Sequence, residues 1–167
     1  MVDDVPALDG VHHLKLPVTD LARSLAWYRR VLGYRIEVEF VEEGRLAGLA
    51  MAHPAGGPPI ALRHDPEWAA RAAGFDHFAI AVASEEAMRA LAARLDACGE
   101  HHGGVHATPV GWILPMLRDP DGHELRFYTW ETYDGPLAPG QRRRVHDPGP
   151  HARIDTVDES VPLSAAG

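Results

Sequence analysis

The spacing of hydrophobic residues changes along the chain, and each change marks a predicted element. From Val11 to Val18 and from Tyr34 to Val41 the apolar residues alternate or run together as they do in a strand. Between them, four apolar residues at helical spacing predict an amphipathic helix: Leu21, Leu25, Tyr28 and Leu32. Thr19 or Asp20 is suited to cap the start of this helix, and Gly33 is suited to end it.

The remaining elements follow the same order in both halves of the chain. Strands over Arg45–His53 and Ile60–His64 complete the first half. The second half opens with a strand over Phe75–Val82 and a helix that Ser84 caps and Gly99 ends. Three more strand-like segments are predicted at 106–109, 111–118 and 124–130, with a tight turn at 119–122. Each half therefore reads as strand, helix and three strands.

A short sequence repeat supports this division into two equivalent modules. His13-Leu-Lys-Leu-Pro-Val18 in the first module is echoed by His77-Phe-Ala-Ile-Ala-Val82 in the second. The modules span residues 11–64 and 75–130, which together form one domain. If the modules pair face to face, the two repeated histidines point into one shared cavity.

Composition and charge narrow the possible environments and partners. The net charge of −8 argues against nucleic acid and against an anionic membrane surface as partners. No apolar run is long enough to span a bilayer, and the start has no signal-peptide pattern. Cys98 is the single cysteine, which fits a reducing cytoplasm. Residues 1–10 form a polar lead-in, and residues 134–167 form a tail rich in proline and glycine.

Three segments of the chain resemble the vicinal oxygen chelate superfamily, which includes glyoxalase I, extradiol dioxygenases, and fosfomycin and bleomycin resistance proteins. They run from Val11 to Gly33, from Phe75 to Val82 and from Asp119 to Tyr128. The resemblance covers about residues 11–130. It implies an α+β fold in which two βαβββ modules form a curled, mostly antiparallel cup, and it implies a homodimer that takes a small-molecule ligand and no nucleotide cofactor.

The resemblance also implies where a metal ion would be held, and only half of the ligand set is present. Metal-dependent members use four side chains, and the first and third fall on His13 and His77. The second position falls on Ala61 and the fourth, usually a glutamate, on Arg126. Glu124 shares a strand face with Arg126 and is an alternative ligand. The resemblance therefore leaves two alternatives. Either one divalent ion (Fe, Zn, Ni or Mn) is held by His13, His77 and Glu124, or no metal is bound.

Strand alternation predicts a second property of the cup, a cationic lining. If His13 faces the cavity, then Lys15, Arg63 and Arg126 face it too. Such a lining suits an anionic substrate group, because arginine binds carboxylate or phosphate through two hydrogen bonds. The predicted substrate contacts are Arg63, Arg126, Tyr128 and Trp112. The alternative is that Arg63 lies at the rim and pairs with a surface acid.

Two functions follow from these residues. The first is a glyoxalase- or dioxygenase-like enzyme (a lyase, isomerase or dioxygenase) acting on a small anionic or vicinal-oxygen metabolite. Its catalytic residues would be His13, His77, Lys15 and Arg126, with a metal or, in a metal-free form, with a histidine or Lys15 as general base and Arg126 as oxyanion partner. The second is a binding protein of the bleomycin-resistance type, which sequesters an antibiotic or metabolite without chemistry.

Several other residues are predicted to have structural roles. His12 and Asp76 should point away from the cup, and Trp27, Tyr28, Met88 and Leu91 should lie in the core. Cys98 should be a small buried hydrophobe and His123 a surface residue. The histidines at 101, 102 and 106 are interpreted as part of a solvated loop. The tail is predicted to wrap over a partner subunit or the cup mouth, with Arg142, Arg143 and Arg144 pairing with surface acids.

Overall fold

The structure, a computed structural model, describes residues 10–136 and 139 and contains eight strands and three α-helices in that part of the chain. The predicted α+β class is confirmed, and both modules have the βαβββ order. The elements are β1 (Leu14–Val18), α1 (Leu21–Trp27), β2 (Arg35–Glu42), β3 (Arg45–Ala52), β4 (Ile60–His64), α2 (Pro66–Ala72), β5 (Ala79–Val82), α3 (Glu85–Ala97), β6 (His106–Thr108), β7 (Gly111–Arg118) and β8 (Glu124–Thr129). None of these helices is long and apolar enough to cross a membrane.

Each module forms its own four-stranded mixed sheet. The strand order is β1-β4-β3-β2 in the first sheet and β5-β8-β7-β6 in the second. In each sheet the first strand runs parallel to the last strand of its module, and the remaining pairs are antiparallel. Because β1 and β5 are edge strands of separate sheets, the two sheets do not close on each other within the described chain.

Local sequence signals explain where the helices begin and end. Asp20, one of the two predicted caps, accepts a hydrogen bond from the backbone N–H of Arg23 at 3.0 Å, and Ser84 caps α3 in the same way through Ala87. Beyond Trp27 the chain continues as one π-helical turn, Tyr28–Leu32. Gly33 ends this turn with a φ of 79°, a conformation that glycine adopts without the strain a Cβ would cause.

Several strand bounds differ from the prediction by one to three residues, and two differences are larger. The strand predicted over Phe75–Val82 pairs only from Ala79. Before it, Gly74 donates to the carbonyl of Gly122, and the carbonyl of Phe75 accepts a hydrogen bond from the N–H of Glu124. Helix α2, which lies between the modules, was not predicted. Its start signal is present in the sequence, since Asp65 caps the helix and Pro66 occupies its first position.

The buried faces of both sheets, α1 with its π-helical turn, and α3 form one hydrophobic core. Its fully buried members include Tyr28, Leu62, Met88 and Leu125, which come from both modules. Trp27, Tyr28 and Met88 therefore lie in the core as predicted, whereas Leu91 is only partly buried. Burying this apolar surface is the main source of stability, and it joins the modules into a single unit.

The turn at 119–123 fixes the second module to the junction of β1 and α1. The carboxylate of Asp121, whose side chain is 1% exposed, accepts hydrogen bonds from Thr19, Arg23 and Ser24 at 2.6 to 3.0 Å. Burial alone would raise the pKa of Asp121, but these hydrogen bonds and the charge of Arg23 outweigh it and hold the pKa below its usual value. The neighbouring Asp119 accepts a hydrogen bond from the hydroxyl of Tyr28 at 3.0 Å.

A second contact between the modules joins the ends of two helical segments. Arg94 of α3 donates to the carbonyls of Arg30 and Val31, both at 2.7 Å, in the last turn after α1. Arg30 in turn donates to the carbonyl of Cys98 at 3.1 Å and pairs with Glu100 at 2.7 Å, at the end of α3. Each arginine thus supplies donors to carbonyls that the other helical segment leaves without an internal partner.

Candidate functional site

Each sheet buries one face under the helices and leaves the other face open. In β8 the buried residues Leu125 and Phe127 alternate with Glu124, Arg126 and Tyr128, so the latter three share the open face. In the first sheet, Leu16 and Leu62 mark the buried face, and Lys15 and Arg63 lie on the open one. The open faces therefore carry most of the residues that the sequence singled out.

A cleft on the first sheet brings three of the predicted residues together. Its volume is about 490 Å³, and its walls include Lys15 and Pro17 of β1, Arg63 of β4, Asp65 and Trp68 at α2, and His77. This Lys15 cleft is formed between β1, β4 and α2. Trp68 is 57% exposed and offers an aromatic surface beside the charged groups. His13 lies outside the lining of the cleft.

The charges in the Lys15 cleft are less one-sided than the predicted cationic lining. Arg63 makes two hydrogen bonds to the carboxylate of Glu42, at 2.6 and 2.7 Å. This agrees with the second of the two possibilities that the sequence left open, in which Arg63 pairs with a surface acid. These bonds lower the pKa of Glu42. Lys15 has no ion pair within 4.0 Å among the described residues. Lys15 is thus a cation without a close ion pair, although Asp65 also lines the cleft and the charge of Lys15 helps to lower the pKa of Glu42.

The hydrogen bond that His77 makes indicates its tautomer. Its Nε2 lies 3.2 Å from the carbonyl oxygen of Ala72, which can only accept a hydrogen bond, so Nε2 carries the proton. The neutral ring then has an unprotonated Nδ1. Its ring also contacts Phe75 and His123, with centroids 5.0 and 6.2 Å apart.

His13 has a different environment from His77. It precedes β1 by one residue and is exposed, and its Nδ1 lies 2.9 Å from Nδ1 of His12. Since both histidines precede the first strand of their module, their positions correspond, but the structure brings only His77 to the cleft.

His123 is buried, so the prediction of a surface position is wrong. It is 1% exposed, and its Nε2 lies 2.7 Å from the carbonyl oxygen of Pro17 in β1. Its Nδ1 has no hydrogen-bond partner among the described residues. A turn sequence normally indicates exposure, and this turn is buried because it packs against the other module. Nothing in the local pattern signals that contact.

Arg126 lies on the open face of the second sheet, where two carboxylates balance its charge. Its Nε is 2.9 Å from Asp76 and 2.8 Å from Glu124. Glu124 is 10% exposed and also accepts a hydrogen bond from the backbone N–H of Met116 at 3.3 Å, in a bulge of β7. Asp76, predicted to be structural and to point away from the cup, instead pairs with Arg126 on the open face, so the predicted direction is wrong.

The remaining predicted contacts lie on opposite faces of the second sheet. Tyr128 pairs with Ile113 on the open face. Trp112, one residue earlier in β7, lies on the helix-covered face, where the guanidinium of Arg89 in α3 is 5.6 Å from its ring centroid. Its ring also contacts Tyr133.

The residues at the four implied metal positions do not form a fitting donor set. Sheet register places Ala61 beside Lys15 and Arg126 beside Ala79, which are equivalent positions in the two modules. An alanine side chain has no donor atom, and arginine stays protonated. Glu124, the alternative ligand, is engaged by Arg126 and Met116. In residues 10–136, no three histidine, cysteine or acidic side chains are grouped so that they could hold a metal ion.

Two features of the site were missed at the level of sequence. The first is α2, which supplies Trp68 and Asp65 to the Lys15 cleft. Asp65-Pro66 was the available signal. The second is the side of the open face formed by β2, where Val38 and Phe40 are about half exposed. The alternation along β2 predicted its strand but not which face would stay uncovered.

Comparison with known proteins gives a consistent result. Residues 10–127 match the family model described as the Glyoxalase/Bleomycin resistance protein/Dioxygenase superfamily. No curated protein sequence matches the chain. Among solved structures, a glyoxylase/bleomycin resistance protein/dioxygenase domain from Frankia sp. EAN1pec is 27% identical, with a TM-score of 0.61, and the match covers 78% of this chain and 96% of that one.

Two more distant structures share the fold. The antibiotic binding protein TnmS3 from Streptomyces sp. CB03234 is 19% identical with a TM-score of 0.61, over 75% of this chain and 98% of that one. A variant of the fosfomycin resistance protein FosX from Listeria monocytogenes, solved with Mn(II) and a dihydroxypropylphosphonic acid, is 15% identical with a TM-score of 0.55, over 74% and 93%.

Proposed function

This chain belongs to the Glyoxalase/Bleomycin resistance protein/Dioxygenase superfamily, and we propose that it is a binding protein for a small anionic molecule with an apolar body. The observation that carries the proposal is the Lys15 cleft, which combines an ammonium group that makes no close ion pair with the aromatic surface of Trp68. A cavity of about 490 Å³ has the size of ordinary small-molecule sites. TnmS3 is an antibiotic binding protein on the same fold.

Small residues next to the cleft support an apolar ligand. On the open face of the first sheet, Gly48 and Ala50 of β3 pair with Arg63 and Ala61 of β4. A Cβ on Gly48 would come within 2.8 Å of the carbonyl oxygen of Leu62. Gly48 is therefore required by the close approach of β4, and we infer that the small residues leave room beside the cleft for the apolar body of a ligand.

A metal-free enzyme is the second candidate, because Lys15 and His77 line the same cleft. In such an enzyme, Nδ1 of His77 would take a proton from a carbon next to a carbonyl, and the ammonium of Lys15 would stabilise the resulting enolate oxygen. This candidate would have a glyoxalase-like activity, as one of the two functions predicted from the sequence. The metal-dependent form is not proposed, because the residues at the second and fourth positions do not fit a metal ion.

We also propose that the protein is a cytoplasmic homodimer. All eight residues of the edge strand β2 are exposed, and Ile36, Val38 and Phe40 are apolar. An exposed apolar edge of this kind is normally covered in a native protein. A second copy packed on β2 would cover it and would deepen the shallow open face. Cys98, the single cysteine, fits a reducing compartment.

Two matched fluorescent probes test the binding function. Anilinonaphthalene sulfonate carries an anionic group, and N-phenylnaphthylamine has the same aromatic body without the charge. We expect the anionic probe to bind more tightly, and Lys15→Met to weaken it about tenfold while leaving the neutral probe unchanged. Trp68→Ala should weaken both probes.

Lys15→Arg is the control, since it keeps the positive charge and should keep the preference for the anionic probe. Equal loss of both probes in Lys15→Met would contradict a charge-specific site. The enzyme candidate is tested separately by exchange of carbon-bound protons of small α-hydroxy ketones in deuterated buffer. Exchange that disappears in His77→Gln would favour the enzyme over the binding protein.

A further inference from the structure

A second cavity lies between the two modules and shares no lining residue with the Lys15 cleft. Its volume is about 150 Å³. The first module contributes Leu32, Tyr34 and His53, and the second contributes Ile80, Leu91 and Phe127. A molecule in this inter-module cavity would therefore contact both halves of the protein.

The walls of the inter-module cavity are mostly apolar, with His53, Tyr34 and two glycines as the exceptions, and they are continuous with the core. Leu32, Ile80 and Phe127 are each no more than 8% exposed and belong to the main core cluster. An apolar cavity of about this volume in another protein stays dry and takes up benzene or xenon. The size therefore fits a single aromatic ring. Gly56 and Gly57 line the exposed side with φ of 92° and 101°, so no bulky side chain closes the mouth there.

One hydrogen-bond donor of the lining is free. Nδ1 of His53 accepts a hydrogen bond from the backbone N–H of Ala55 at 3.2 Å, so in the neutral ring the proton is on Nε2. No acceptor lies within hydrogen-bond distance of this Nε2 among the described residues. The hydroxyl of Tyr34 is already used, since it donates to the carbonyl of Pro58 at 3.0 Å.

We propose that the inter-module cavity binds a monocyclic aromatic molecule that carries one hydrogen-bond acceptor, held by the apolar walls and by Nε2–H of His53. The site is independent of the ligand of the Lys15 cleft. Because the bound ring touches residues of both modules, its binding stabilises the folded protein and restrains the modules relative to each other.

Benzene and phenol, titrated into the full-length protein, test the proposal. Both should shift the amide resonances of Gly56, Gly57 and Ala81, which line the cavity, and both should raise the midpoint of thermal unfolding. Phenol offers an oxygen acceptor and should bind about fivefold more tightly than benzene. In His53→Phe the two molecules should bind equally.

A filling variant and a matched control complete the test. Leu91→Trp should occupy the cavity and abolish the benzene response. Leu25→Trp makes the same change at another partly buried leucine that does not line the cavity, and it should keep the response. Shifts confined to the Lys15 cleft, no shifts in benzene-saturated buffer, or an undiminished response in Leu91→Trp would overturn the proposal. If Leu91→Trp does not fold, the map of shifts in the wild-type protein, repeated under xenon pressure, decides the matter.

Discussion

Asp121 is a buried carboxylate that holds the two modules together through donors from one short stretch of the other module. Thr19, Arg23 and Ser24 all donate to it. We expect Asp121→Ala to lower the free energy of unfolding by about 1 to 3 kcal/mol, because the buried Ser24 loses its acceptor and the more exposed Thr19 and Arg23 lose hydrogen bonds to a charged group. Urea denaturation measures the effect. Glu86→Ala, at an exposed position of α3, is the control and should change stability little.

Asp119 and Asp121 are predicted to affect stability with opposite signs as the pH changes. Burial raises the pKa of Asp119, and the opposing charge of His123 and the hydrogen bonds from His123, Tyr28 and Asp121 only reduce this rise. The pKa of Asp121 is lowered instead, because its hydrogen bonds outweigh the effect of burial. The stability from Asp121 is present above its unfolded pKa, about 3.9, and is lost as the pH falls through the lower folded value. Ionising the buried Asp119 instead costs stability as the pH rises from about 3.9 through its raised folded pKa.

Urea unfolding of Asp119→Asn and Asp121→Asn across acidic pH checks these signs. The stability difference between wild type and Asp121→Asn should grow with pH, and the difference between wild type and Asp119→Asn should shrink. Slopes of the same sign for both variants would contradict the assigned environments.

Sequence patterns predicted the side-chain direction of several strand residues, though not of Asp76 and Trp112, and predicted side-chain partners poorly. Alternation placed Lys15, Arg63 and Tyr128 on open faces, since direction follows from the period of the strand. It did not predict that Glu42 would pair with Arg63, or that Asp76 and Glu124 would balance Arg126. It also did not predict the burial of His123. These pairings depend on strand register and on packing between modules, which a linear pattern does not contain.

At the level of elements, the ends of the two long helical segments depend on each other. We expect Arg94→Ala to cost about 1 to 3 kcal/mol, because two carbonyls at the end of the first segment lose their donors. Arg94→Lys should recover only part of the loss, since an ammonium lacks the planar fork that reaches both carbonyls. Urea denaturation of a double-mutant cycle with Arg30→Ala measures the coupling, and strict additivity would show that the two contacts are independent.

Elements with a sustained period and clear boundary residues were predicted closely. Ile60–His64 and Gly111–Arg118 have the predicted bounds, and Ser84 and Gly33 mark helix ends as expected. Helix α2 was missed because it has only seven residues, too few for a period to stand out. The π-helical turn after α1 has no sequence signal of its own, because it keeps the same apolar spacing.

Exposed apolar residues on β2 lead to a prediction for the whole molecule. If a second copy covers this strand, Phe40→Lys should shift the protein from dimer to monomer in analytical ultracentrifugation, because a buried charge opposes association. Trp130→Lys is the matched control, since Trp130 is more exposed than Phe40 but lies outside β2. Wild type that sediments as a monomer, or equal effects of both variants, would contradict the dimer.

The ligand positions lead to a second prediction at this scale. We expect Mn(II) or Zn(II) to leave the thermal midpoint unchanged, and dialysis against a chelator to leave probe binding unchanged, because alanine and a paired arginine occupy two of the four positions. A clear metal-dependent rise in the midpoint that is lost in His77→Gln would show that the donor set is completed in another way.

The modules, their order and the fold family could be predicted from the sequence, because the repeat appears directly in the order of residues. How the two sheets approach each other could not, since it depends on contacts such as those of Asp121 and Arg94. The tail residues Arg142, Arg143 and Arg144 lie outside the described residues, so their predicted pairing stays a prediction.

The exchange of arginines between the two helical segments has a consequence for descent. A module standing alone would leave the carbonyls of its own helix end without the donors that the other module now supplies. Two copies of an ancestral unit joined in one polypeptide can diverge in their open faces, as Lys15 and Ala79 have done. The helix ends remain coupled, because a substitution of the arginine in one module removes hydrogen bonds from the helix end of the other. If one module is exchanged for that of a distant relative, the hybrid protein should therefore be stable only when the incoming module also carries an arginine at the end of its helical segment.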